Sequence, residues 1–210
     1  MLFKNRADAG KQMAKALMAY HGNKDVIILA LPRGGLPVGC EIARLLEAPL
    51  SIIVSKKIPF PGNDELAIGA VSLKGTLMVD HDAVKEFSIP RNYIENEKKR
   101  LKKEVAKTFK LYTGSMRPPS LAGKIAILTD DGIATGSTLI AALTYVRLQK
   151  PARIIVAIPV APSSAKPMLE EVADDAVCLV YDPLFTAVGR YYKDFTQVSD
   201  DEAKDILNGN

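Results

Sequence analysis

Asp130 and Asp131 stand side by side at the end of the apolar run KIAILT, and GIATGST, small or hydroxylated at every position but Ile133, follows at once. A free aspartate ionises near pH ~4, so both carboxyls are expected to be charged at neutral pH and to repel each other. A purely structural pair would need cations or several donors around it, whereas a vicinal diol supplies two donors to two such acceptors. The turn that follows suits a different group. Its small residues let the main chain approach a ligand closely. The start of the next helix offers unpaired N–H groups and a partial positive charge, a cradle for phosphate. Hydroxyls of Thr135, Ser137 and Thr138 add donors. Diol acceptors beside a phosphate cradle match a ribose 5-phosphate.

Other readings of this stretch fit less well. A Walker phosphate loop requires Gly-Lys before the Ser/Thr, and here Gly136 is followed by Ser137. The dinucleotide fingerprint needs three closely spaced glycines, and only Gly132 and Gly136 are present. A helix cap accounts for Thr135 or Ser137 but leaves the two aspartates unexplained.

Periodicity shows the elements that must hold the turn. Asn5–Tyr20 reads as an amphipathic helix capped by Asn5, with Met13, Leu17 and Tyr20 on one face and Gly22 ending it. VIILAL (26–31) is a continuous apolar run of strand length, as in a parallel sheet covered on both faces. After PRGG, Val38, Ile42, Leu45 and Leu46 recur at helical spacing, and LSIIVS (50–55) reads as the next strand. KIAILTD, a helix over 137–148, ARIIVAIPV, a helix over 164–172 and AVCLVYD continue the alternation. Such alternation predicts an α/β fold, a doubly wound parallel sheet. The middle breaks the rhythm: 56–66 looks like an exposed loop, LAIGAV and TLMVD like a hairpin around a Gly-containing turn, and 91–111 like a long charged helix before the linker TGSMRPPS. The chain is read as one domain, 1–210, with a hairpin and helical arm inserted over about 56–120.

Composition narrows the function classes. With 48% hydrophobic and 25% charged residues, the 210-residue chain is ordinary for a globular protein. No apolar run nears the ~20 residues that span a bilayer, and the N-terminus lacks the apolar core of a signal peptide. A cytoplasmic protein without membrane association is expected. Cys40 and Cys178, each in an apolar segment, read as reduced thiols, and His21 and His81 lack zinc-ligand spacing. The net charge of +4 leans towards anionic ligands and is too small to argue for nucleic acid. Lys98, Lys99, Lys102, Lys103 and Lys107 are interleaved with Glu95, Glu97 and Glu104, as on a solvated helix face.

TDDGIATGST resembles the phosphoribosyl-pyrophosphate signature of type I phosphoribosyltransferases. The likeness runs from LALPRGG to VGRYYKDF. With PRGG, KI…PGN, ELAIGAV, RPP and VG..Y.DF, the chain is similar to bacterial phosphoribosyltransferases of unassigned acceptor. The resemblance implies a type I phosphoribosyltransferase-like sheet with a small C-terminal hood over about 182–198. Asp130 and Asp131 would hold the ribose hydroxyls and, through these or water, a magnesium ion carried with phosphoribosyl pyrophosphate. Ala134, Thr135, Gly136, Ser137 and Thr138 would cradle the 5-phosphate. Arg33, Gly34 and Gly35 would bind pyrophosphate, in a turn where such families often keep an unusual peptide geometry. The planar fork of Arg33 suits a phosphate, although PRGG also makes an ordinary tight turn into a helix.

The implied reaction moves the phosphoribosyl group to a small nitrogen acceptor, a nucleobase, with pyrophosphate leaving, in a homodimer serving nucleotide salvage. Asp130, Asp131 and Arg33 would be the catalytic positions. Lys56 and Lys57 could add charge against pyrophosphate or simply begin a solvated loop, and Pro59–Leu66 could be a lid or a plain turn. Ala134 stands where hypoxanthine-type enzymes hold an aspartate, yet DPLFTAVGRYYKDF resembles their purine-covering hood, with Phe185 and Val188 as base contacts. A packed aromatic cluster explains that segment equally well. The rival function is a non-catalytic regulatory protein of the same fold that binds phosphoribosyl pyrophosphate or a nucleotide.

Overall fold

In the computed structural model, which describes residues 2–73, 77–115 and 117–209, the chain opens with α1 (Arg6–Ala16), β1 (Val26–Ala30), α2 (Gly35–Leu46) and β2 (Leu50–Ile52). An arm follows, made of β3 (Ser55–Phe60), β4 (Asn63–Ser72), β5 (Leu77–Val79), α3 (His81–Glu86) and α4 (Arg91–Thr113). The rest comprises β6 (Ile125–Thr129), α5 (Ser137–Leu148), β7 (Arg153–Pro162), α6 (Lys166–Val172), β8 (Asp175–Asp182) and α7 (Asp200–Asn208).

The apolar runs form strands because the sheet is covered twice. All five residues of β1 are buried, and alternate side chains point to opposite faces. Val26 and Ile28 meet Met13 of α1, Leu17 at its C-terminal end, and Val38 and Ile42 of α2. Ile27 and Leu29 meet Leu139, Ala142, Leu143 and Val146 of α5. The strands are all parallel in the order β2-β1-β6-β7-β8. Pairing of Ala30 with Thr129 brings the carboxyl ends of β1 and β6 level. From β1 the chain winds towards β2, and from β6 it winds the other way towards β7. Ligands on open α/β sheets bind in the crevice that such a reversal opens. The doubly wound parallel sheet expected from the alternation is the one observed.

The arm departs from expectation. Residues 56–66 are not a loop but a hairpin: β3 pairs antiparallel with β4 around Pro61 and Gly62, the latter at φ +79°. The expected strand 50–55 divides accordingly, Leu50–Ile52 joining the large sheet and Ser55 opening the small one. An antiparallel strand with one wet face keeps its charges, so β3 exposes Lys57 opposite fully buried Ile58, while Lys56, on the Ile58 side, is exposed at the cleft. Ile58, Ile68, Val71, Ile89, Ile94 and Leu101 form the arm's own core. β5 pairs with β4 as the expected hairpin, while its turn at 74–76 lies outside the described residues, as does Met116 of the linker. Further along α4, Val105, Phe109 and Tyr112 pack on β2 and on Val198 and Ala203 near and within α7. Among the described residues no helix is long and apolar enough to cross a membrane.

Helices α1 and α2 touch most closely at Gly10, where a Cβ would lie 2.6 Å from the Val38 carbonyl oxygen. Gly to Ala in a helix interior gains up to ~1 kcal/mol from propensity. Here a backbone carbonyl cannot swing aside, and overpacking at ~1–3 kcal/mol should win. Gly10→Ala is expected to lower the urea midpoint at unchanged slope, a net loss of about 1 kcal/mol.

Candidate functional site

β6 ends on buried Thr129, and the acidic pair emerges half-buried at the crevice. Oδ1 of Asp130 accepts the Asp131 N–H at 2.8 Å. Oδ2 of Asp131 accepts Nε–H of Arg6 at 2.7 Å, and the Tyr192 hydroxyl donates to the Asp131 carbonyl. Burial pushes the Asp130 carboxyl well above the usual range, and the neighbouring Asp131 charge adds to it. Burial raises Asp131 as well, while the Arg6 guanidinium draws it back. Burial thus raises both carboxyls, and Asp131 has a guanidinium against it. This corrects the expectation that both behave as ordinary free aspartates.

The PRGG turn packs directly on this pair. Leu31 donates its N–H to the Thr129 carbonyl (2.9 Å), and Gly35 donates back to Leu31 (3.0 Å). The Pro32–Arg33 peptide is cis. A Cβ on Gly34 would strike Oδ2 of Asp131, and one on Gly35 would lie 2.9 Å from both Asp130 Cα and the Thr129 carbonyl oxygen. Bare glycines at both positions let the two turns meet. Arg33 donates from Nη1 to Asp200 at 3.2 Å, and the Tyr112 hydroxyl donates to the same oxygen at 2.7 Å. That hydroxyl, with Arg33 in support, holds the Asp200 carboxyl below the usual range.

After Asp131, Ile133 is buried and its N–H is taken by the Val160 carbonyl at 2.9 Å. Ala134, Thr135, Ser137 and Thr138 are exposed. Gly136 precedes α5 at φ +77°, a conformation that favours glycine. Among the described residues no side chain caps α5, and the Thr135 and Ser137 hydroxyls meet each other at 3.3 Å. The capping alternative loses its motive. Pro32, Arg33, Ser55, Lys56, Tyr112 and Thr138 line one cleft of about 280 Å³. Lys56 also reaches Glu104 at 3.4 Å. Lys57 follows it on β3 and is exposed.

The segment after β8 closes over the turn. Val188 sits against Gly132, where a Cβ would be 2.6 Å from Val188 Cγ1. Phe185 stacks on Tyr191 at 5.7 Å between centroids, nearly parallel. Residues 191–194 are tied to the N-terminus, with Phe3 N–H donating to the Tyr191 carbonyl (2.7 Å) and Lys193 N–H to that of Phe3 (2.8 Å). Arg6, Tyr192 and Asp200 were not legible as site residues. Arg6 left one trace: it lies seven residues before Met13, on the apolar face of its helix, where a charge needs a partner.

A family model described as the phosphoribosyl transferase domain matches residues 2–189. Two relatives from Mycobacterium tuberculosis, strains CDC 1551 and H37Rv, provisionally named phosphoribosyl transferases, are 38% identical over 208 residues, 99% of this chain. The chain spans 46% of their length. The crystal structure of TT1426 from Thermus thermophilus is similar at 36% identity and a TM-score of 0.88, covering 99% of this chain and 98% of that one. The AQ2163 protein of Aquifex aeolicus shares the fold at 14% identity and a TM-score of 0.52, covering 83% and 73%.

The raised Asp130 carboxyl has a consequence for stability. Its contribution is full below the ordinary value near ~4 and is lost as pH rises towards the higher folded value. Asp130→Asn keeps the acceptor for the Asp131 N–H and removes the cost of charging. The variant should be more stable than the parent at pH 7, with the difference vanishing towards pH 4. Denaturant titrations across that range check the sign.

Proposed function

This chain belongs to the phosphoribosyl transferase family, and from that premise we propose that it moves the 5-phosphoribosyl group of phosphoribosyl pyrophosphate to a small nitrogen acceptor, a nucleobase, releasing pyrophosphate. One observation carries the reading: two glycine turns, each suited to an anion, meet at the reversal point of the sheet, with an uncapped helix start beside them. The sugar would sit on the acidic pair, its hydroxyls donating to Asp130 and Asp131. The N–H groups from Ala134 to Thr138, with three hydroxyls, would take the 5-phosphate. Arg33, Gly34 and Gly35 would face the pyrophosphate, with Lys56 across the cleft, whereas Lys57 points from the other face of β3.

As the C1–O bond breaks, its electron pair leaves on pyrophosphate and positive charge grows on the ring. Arg33 and Lys56 would stabilise the departing anion, and the Asp131 carboxylate would lie near the growing positive charge. Magnesium, when bound, would neutralise phosphate charge. The donor set fits such an ion: Asp130 and Asp131 offer carboxylate oxygens at the crevice, and magnesium takes ligand oxygens, waters and one or two carboxylates readily. Val188 borders the acidic turn at Gly132, and Phe185 stacks on Tyr191 in the same segment, which supports a planar acceptor. A homodimer in the cytoplasm, with 1–210 working as one unit, is part of this proposal.

A second reading draws on α4. Glu97 and Glu104 pair with Arg100, and Glu104 also with Lys56. Lys99, Lys102, Lys103, Lys107 and Lys110 stand exposed, with no acidic partner among the described residues. That face suits a polyanion and favours a regulatory protein that reports on phosphoribosyl pyrophosphate.

Calorimetry with phosphoribosyl pyrophosphate and magnesium or calcium tests the site. Asp130→Asn with Asp131→Asn should weaken binding by about 100-fold or more while the protein stays folded, and unchanged affinity would remove the assigned role. Pyrophosphate release across purines, pyrimidines and simple amines then tests the transfer. Binding without release for any acceptor, together with RNA retention lost on Lys99→Glu with Lys103→Glu, selects the second reading.

A further inference from the structure

Arg6 is an arginine buried by nine-tenths at the first position of a surface helix. Burial of a guanidinium is costly unless every face is satisfied. Three contacts offset this cost. Nε–H donates to Oδ2 of Asp131 at 2.7 Å, Nη1–H donates to the Thr196 carbonyl at 2.7 Å, and the guanidinium carbon lies 3.9 Å from the centre of the Phe195 ring. No other described cation forms an ion pair with either aspartate. Gly34 lies against the same carboxylate, where a Cβ would strike Oδ2 and lie 3.2 Å from Oδ1. Oδ2 is thus held by Arg6 beside the PRGG turn, while Oδ1 accepts no hydrogen bond from the described residues. Asp130, Tyr192 and Asp194 are the titratable groups that face this arrangement.

We infer that Arg6 is a positioning residue for Asp131: it holds the carboxylate in one orientation for the ribose hydroxyls and ties that orientation to the hood through Thr196 and Phe195. The inference rests on the ribose-binding role proposed above. Arginine is the residue that can do this, because its planar fork donates to two acceptors in fixed directions while its face covers an aromatic ring. A lysine could reach the carboxylate or the carbonyl, but its point charge would not set the angle. The N-terminal pairing of Phe3 and Lys4 with 191–194 brings the hood to the start of α1, so the three contacts form together. Hood and sugar site are coupled by one side chain.

The test compares three ligands on the full chain by calorimetry: phosphoribosyl pyrophosphate, ribose 5-phosphate, and pyrophosphate with magnesium. Arg6→Met should weaken the two ribose-bearing ligands by about tenfold or more and leave pyrophosphate unchanged. Arg6→Lys should regain part of the loss, because charge returns without the fork. A folding defect in Arg6→Met is bypassed by Phe195→Leu, which keeps Arg6 and removes the ring beneath it. That variant should show the same split at about threefold. Equal losses on all three ligands, or none, overturn the inference. Failure of the unmodified chain to bind either ribose-bearing ligand overturns the proposed function itself, whereas normal binding by the parent with no split in the variants overturns only the role of Arg6.

Discussion

Two adjacent carboxyls at the end of a buried strand repel each other and are poorly solvated, so something outside the strand must compensate one of them. Here that partner is Arg6, 125 positions away in sequence, whose guanidinium reaches Oδ2 of Asp131. The rest of the crevice is arranged around this contact. Gly34 has no side chain because the carboxylate fills that space, and Gly35 has none because Asp130 and Thr129 do. Asp130, which forms no ion pair among the described residues, carries the burden of burial as a raised carboxyl.

The arrangement makes both chain ends part of the site. The N-terminal segment pairs with the hood, α1 supplies Arg6, and α7 supplies the Asp200 that, with Tyr112 of α4, holds Arg33 at the edge of the cleft. Asp131 and Arg33 are each held by an element from elsewhere in the chain, which is how residues from irregular turns acquire fixed directions. The arm adds Ser55 and Lys56 from the start of β3, so the cleft between Arg33 and Thr138 is bounded by both sheets.

Local patterns carried much of the architecture. Continuous apolar runs such as Val26–Leu31 can be satisfied only inside a doubly covered sheet, so β1, β6, β7 and β8 were visible before any contact was known. The start of α5 at Ser137 was visible for the same kind of reason, since a small-residue turn must separate strand from helix. The hairpin of 55–72 was hidden because an antiparallel strand with one wet face keeps the lysines, proline and glycine that also mark loops. Helix α7 was hidden because its burial depends on α2 and α4, which are distant in sequence.

The sequence by itself determined the parallel sheet, the adjacent aspartates and the small-residue turn at the head of α5, because each follows from hydrophobic period or from bonded neighbours. Tertiary structure alone decided which aspartate is compensated, which face of Arg33 is held, and what fills the space beside each glycine. Charge, burial and hydrogen bonding act through distance in space, and residues 6, 34, 131 and 196 share one guanidinium and one carboxylate only after the chain has brought its two ends together.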